Sequence, residues 1–441
     1  RTMRKRTTLL LASAIVLLLA LALAVQLLLQ PRRVAGFVLD TLGKSLGLEI
    51  TATGTSEYRL RGTPLLVVRD VAVREPGAKA PLLRAQRVYV SVPWSTVRSR
   101  GAQLDITRIE LDAPVLDLSA LQHWLATRPP GKTRMPTLRD GLQVTGGRID
   151  GDGWRVDGLA ISLPRLHPEQ RIGGHVAGRF TSGDLALRFD VAAAMSRPAN
   201  DAGIAIVGPV TASSGDWRVP ATLHLSAPLH VGDDGIRSTR LRARVAGRYE
   251  SGDTRQPFAF AITSPLLLRD GTLALAPAGI ALRGDGVVPD VDAGGALAYG
   301  KQLLLDLDGR LAGWPDAWPA LPPPIGGSDA PLPFAVDYLG RNDLDSIATL
   351  RIQRGPAHFD ARVRIPAIAN WMIASPAGSS PLPPLSGRLV APQLDISGSR
   401  LEGVEVEFDD PTLPQSTQDR QNLQQDPSSR QAGQRVQPPT R

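Results

Sequence analysis

The chain contains no cysteine among its 441 residues, which removes disulfides, thiolate metal sites, CxxC redox motifs and cysteine nucleophiles together. A polypeptide of this size can bury a core without covalent staples, so the absence sets no limit on compartment. Aromatic residues are scarce, at 5%, and there are six histidines. His123, His167, His175, His224, His230 and His358 are scattered, without the spacing of metal ligands. Long helical patterns are scarce too, because 43 glycines and 38 prolines break helices and punctuate turns. HExxH, GxSxG and GxGxxG motifs are all missing. Gly43-Lys44-Ser45 imitates the end of a P-loop, but the preceding glycine, Gly36, is too distant and the segment has helical apolar spacing. Asp150-Gly151-Asp152-Gly153 and Asp306-Leu307-Asp308-Gly309 lack the distal Glu of a calcium loop and read as hairpin turns. No metal, no cofactor and no enzymatic activity are expected.

What is present begins at the N-terminus. Arg1, Arg4, Lys5 and Arg6 precede the uncharged stretch Thr7–Leu29, which as a helix spans roughly 35 Å against a hydrocarbon core of about 30 Å. Residues 1–30 therefore read as a basic cytoplasmic flank and a retained single-pass anchor, with everything after it outside the cytoplasm. The rival reading is a cleaved signal peptide, since Ala22-Leu23-Ala24 resembles a cleavage site. The apolar run is longer than the ordinary signal-peptide core of about 7–15 residues. Val34, Phe37, Val38, Leu42 and Leu46 then recur at the spacing of an amphipathic helix. Such a helix caps the structure that follows, or lies on the bilayer.

From Leu48 to Phe408 the apolar period becomes two. Leu185, Leu187, Phe189 and Val191 interleave with Asp184, Ala186, Arg188 and Asp190; Leu241, Ala243 and Val245 with Arg240, Arg242 and Arg244. Phe359, Ala361, Val363 and Ile365 alternate with His358, Asp360, Arg362 and Arg364, and Val404, Val406 and Phe408 with Glu405 and Glu407. Each is a strand with one apolar and one charged face. Turn signals at Gly146-Gly147, Ser182-Gly183-Asp184, Gly252-Asp253, Asp270-Gly271, Gly284-Asp285-Gly286 and Gly294-Gly295 predict antiparallel hairpins and about twenty strands. A brief helix is expected over Ser119–Thr127, capped by Ser119 and Gln122.

Proline-rich breaks divide the body. Arg128–Met135, Gly313–Pro333 and Ser375–Pro384 read as irregular crossings, and Asp409–Arg441 as a disordered Gln/Pro-rich tail. The expected organisation is 1–30 anchor, 31–130 helix and first strands, 131–312 central sheet, 313–408 a second β segment, and 409–441 tail. The net charge of +8 is carried almost wholly by arginine. Runs such as Arg237–Arg248 read as the solvent face of a sheet or as an anion-binding surface; nucleic acid is disfavoured for a body outside the cytoplasm.

The stretch Val34–Pro130 resembles the N-terminal part of AsmA-like proteins. The resemblance rests on Phe37-Val38-Leu39-Asp40 through Leu46-Gly47-Leu48-Glu49-Ile50, on Gly62 to Val73, on Leu82 to Val88, and on Leu104-Asp105-Ile106 to Leu116. Leu401 to Val406 is compatible with closing strands of that family. The resemblance implies a bacterial inner-membrane protein, N-terminus cytoplasmic and body periplasmic. Its elongated, curved antiparallel β-sheet would form a groove that shelters lipid acyl chains, without catalysis. The implied role is lipid transport and outer-membrane biogenesis, with phospholipids or lipopolysaccharide and envelope proteins as partners. The candidate groove lining is Leu185, Leu187, Phe189, Leu241, Val245, Phe359, Val363, Val404 and Val406. The alternative is an envelope scaffold or assembly factor with a closed β core and no lipid cargo.

Overall fold

A computed structural model describes residues 47–413, apart from 60, 99–104, 128–136, 233, 319–324, 327–329, 375–382 and 397–398. The expected anchor, the amphipathic helix and nearly all of the expected tail lie outside these residues. No helix among the described residues is long and apolar enough to cross a membrane.

The described chain is mainly β, with few and short helices. It divides into two compact units, residues 1–229 with 247–255 and residues 230–246 with 256–441. The first holds β1 (Glu49–Ala52), β2 (Ser56–Arg59), β3 (Leu65–Arg74), β4 (Leu83–Ser91), β5 (Asp105–Ile106), β6 (Arg108–Asp112), β7 (Val115–Asp117), β8 (Thr137–Leu138), β9 (Leu142–Asp150), β10 (Arg155–Leu163), β11 (Ile172–Ser182), β12 (Leu185–Met195) and β13 (Asp201–Ser214). Helices α1 (Trp94–Arg98) and α2 (Leu118–Thr127) belong to it as well. Next in sequence come β14 (Trp217–Gly232), β15 (Gly235–Ser251) and β16 (Thr254–Arg269). The second unit continues with β17 (Thr272–Gly284), β18 (Val291–Tyr299), β19 (Leu303–Leu311), β20 (Leu332–Gly340), β21 (Ala348–Arg354), β22 (Ala357–Val363), β23 (Leu385–Ile396) and β24 (Ser399–Phe408), with α3 (Ile365–Ala374) between β22 and β23.

In the first unit β1 and β2 both pair with β3, β3 with β4, and β4 with β6 and β7, all antiparallel. β9 then lies parallel to β6 and β7. The crossover through α2 permits this, since parallel strands cannot be joined by a tight turn. From β9 to β13 the strands are antiparallel neighbours in chain order. A small separate pair, β5 and β8, is parallel. The second unit repeats the simpler rule, each strand from β16 to β24 pairing antiparallel with its successor.

Several local expectations are corrected. Gly146-Gly147 and Gly294-Gly295 sit inside β9 and β18, not in turns. The register shifts by one residue beside Gly146, and again in β10 at Gly158. Both glycines have positive φ, the conformation that a β-bulge and a tight turn alike demand. Asp306 to Gly309 likewise lies within β19, paired to β20. The expected turns at Gly183, Gly252 and Gly271 do separate consecutive strands. Helix α2 starts at Leu118, and the Asp117 carboxylate accepts from the Ala120 N–H at 2.9 Å. Asp117, not Ser119, is therefore its N-cap.

Candidate apolar face

Residues directly opposite in an antiparallel ladder share a face, so the register shows which side chains line up. Across the first unit one face runs from Ile50 opposite Val73, through Val88 opposite Leu111, to Leu111 beside Val144. It continues through Val144 opposite Ile161, Ile161 opposite Val176, and Val176 opposite Val191. At its far side Phe180 meets Leu187, Leu187 meets Ala212, and Phe189 meets Val210. Asp70, with φ 51°, lets β3 change parity so that Val68 and Val71 join the same buried cluster. Every position of this chain of pairs is apolar. With strands about 4.8 Å apart, nine strand positions give the face a width of roughly 40 Å.

The opposite face is charged. Arg87 bonds Asp112 at 3.0 Å and Glu110 at 3.1 Å. Its guanidinium is held above its ordinary range by Asp112 first, with partial desolvation opposing and Glu110 reinforcing. Arg148 pairs with Asp157 at 2.8 Å, Arg155 with Asp150 at 2.6 Å, and His175 with Asp190.

In the second unit a comparable face consists of Ile280, Ala293 and Gly309, then Leu305, Tyr338, Ala348 and Val363. Here it is filled. Leu332 is 0% exposed and Leu389 3%, in a cluster with Leu311, Ile325, Ile352, Ala357 and Ala391, against which Trp314 packs. Tyr338, Ala348, Ala361, Val363 and Leu385 form a second cluster, with Leu344 and the α3 residues Ile365 and Ile368 packed on it. The ring of Phe359 meets that of Phe408 edge-on at 5.9 Å.

The candidate lining residues consequently fall in different surroundings. Leu185 is 41% exposed, while Leu187 and Phe189 are half-buried on the open face of β12. On β15 Leu241 is buried and Val245 half-buried. Val363 is part of the filled core. Phe359 and Val406 pack against that core, and Val404 stands half-buried opposite Ala391. The structure brings Leu187 and Phe189 together with residues not singled out from the sequence, notably Phe180, Val210 and Ile161. Their signal was the same alternation, obscured at Ile161 where the bulge at Gly158 shifts its parity.

Among the described residues no group of three His, Asp or Glu is placed to hold a metal ion. No family model, curated protein or solved structure matches this chain.

Proposed function

We propose that this is a non-enzymatic protein held in a bacterial inner membrane by its N-terminal apolar segment, with a periplasmic β body that shelters lipid acyl chains in a curved apolar groove. Through that groove it supports lipid transport and outer-membrane assembly, with phospholipids or lipopolysaccharide as cargo and envelope proteins as partners. The supporting observation is the in-register apolar face of β9–β13, whose Ile161, Val176, Leu187, Phe189 and Val210 are left half-exposed. With Val144 and Val191 buried between them, these partly uncovered side chains leave adjoining apolar surface on neighbouring strands, which supports a binding face. Each methylene moved from water onto such a face gains about 0.8 kcal/mol wherever it lies along the strands. An acyl chain can therefore slide from one strand to the next at little net cost, which is what transport without catalysis requires.

Photo-crosslinking side chains at Leu187 and Val245 are expected to capture acyl chains, and those at Arg188 and Arg244 to capture none. Capture restricted to the arginine positions would reject the reading. A purified full-length protein found free of lipid by mass spectrometry would favour the scaffold alternative.

A further inference from the structure

The polar face of the first unit carries a charge arrangement that its own residues do not complete. Arg179 of β11 and Arg188 of β12 are directly opposed in the ladder. Like charges in that relation repel. Neither has an ion pair or side-chain hydrogen bond to another described residue. The row reads Asp157, Arg179, Arg188, Thr211 across β10 to β13. Asp157, the one carboxylate in it, is engaged at 2.8 Å by Arg148. Asp190, next along the same face of β12, is engaged by His175. Arg218 adds a third guanidinium, and its partner Glu250, at 3.5 Å, is shared with Arg248 at 3.6 Å.

Space accompanies the charge. The arginine pair stands between two clefts, one of about 440 Å³ bounded by Asp157, Ala177 and Asp190 and one of about 370 Å³ bounded by Ala186, Ser213 and Arg218. Thr211 borders both. Ala186 and Ser213, opposed in the next row, are too small to fill the second cleft. Two guanidinium forks and two hydroxyls around one opening suit a compact dianion, because arginine pairs bidentately with phosphate oxygens.

We propose that Arg179 and Arg188, with Arg218, Thr211 and Ser213 around them, form a binding site for a phosphate dianion on the charged face of the sheet. This site lies across the sheet from the apolar face and does not depend on the lipid reading. The dianion is either free phosphate or the headgroup of an anionic lipid presented by a membrane.

The test uses the full chain at constant ionic strength, titrated with inorganic phosphate by calorimetry and, separately, with vesicles of phosphatidic acid in phosphatidylcholine. Saturable binding of inorganic phosphate identifies a free-phosphate site, and saturable binding of the phosphatidic acid vesicles alone identifies a headgroup site. In either arm Arg179→Gln and Arg188→Gln each weaken binding about tenfold, and the double variant abolishes it, because a bidentate contact is lost with each. Arg171→Gln, which removes the same charge just before the other end of β11, changes binding less than about twofold, as expected for a screened exposed charge. Equal losses in all three single variants, or saturable binding in neither arm, would overturn the proposal. Thermal melts of each variant verify that the fold is retained.

Discussion

On β12 the alternation of apolar and charged residues leaves Leu187 and Phe189 half-exposed, whereas on β22 the same alternation puts Ala361 and Val363 into a filled core. The strands are alike; what differs is how they are joined. In the first unit β9 to β13 are linked in turn by four, eight, two and five residues. The first of these connections sets Trp154 against Phe180 of the face, ring centroids 5.7 Å apart, but connections of this length do not carry a helix or a long crossing over it. In the second unit the connections after β19 and β22 are long, and they bring Trp314, Ile325, Ile365 and Ile368 onto the sheet. Strand period decides which side is apolar; connection length decides whether that side is covered.

The comparison breaks most visibly under truncation. Leu332→Ala in the covered core is expected to cost about 2–5 kcal/mol by loss of burial and a residual cavity, whereas Leu187→Ala should cost under about 1 kcal/mol at a half-exposed position. Urea midpoints for the two variants check this, and equal losses would mean that the first unit is also closed. The first unit should instead be sensitive in its backbone. Gly141 has φ +79° and an added Cβ would sit 1.7 Å from the Leu163 carbonyl oxygen. Gly141→Ala is thus expected to lose at least about 2 kcal/mol through strain and clash, measured in the same way. Phe189→Glu should keep its circular dichroism spectrum but lower co-purifying lipid about tenfold, equivalent to ~1.4 kcal/mol. Phe359→Glu, placed against the filled core, should unfold. Removing the α2 cap with Asp117→Ala should cost about 1 kcal/mol. The smallest effect has the opposite sign: Arg179→Gln relieves an opposed like-charge pair and should raise the melting point slightly, by a few tenths of a kcal/mol in stability.

Much of this was legible from the residues alone. The alternation around Leu187, Phe359 and Val406 marked the strands and their apolar sides, because the pleat enforces a period of two. The glycine pairs misled, since Gly146 supplies inside β9 the positive φ that a turn would also need. Helix α3 was hidden for a related reason. The alternation through Phe359, Ala361 and Val363 was carried on to Ile365, which in fact opens the helix, with Pro366 well tolerated in its first turn. The parallel contact of β6 with β9 left no local trace, because it depends on a crossover through α2. The covering of the second unit's face could not be read locally either, because it depends on where two long connections pack. The meeting of Arg179 with Arg188, by contrast, follows from the two-residue turn at Gly183, since a turn of that length fixes the hairpin register.

β10, β11 and β12 each bond only to the strands immediately before and after them in the chain. A sheet assembled in that way resembles a stack of nearest-neighbour repeats, and nothing in its hydrogen bonding counts the members. Duplication or loss of one hairpin within this stretch would preserve every remaining register and keep the oily side on the same side. The span of the track is therefore a quantity that evolution, or a designer, can lengthen or shorten two strands at a time.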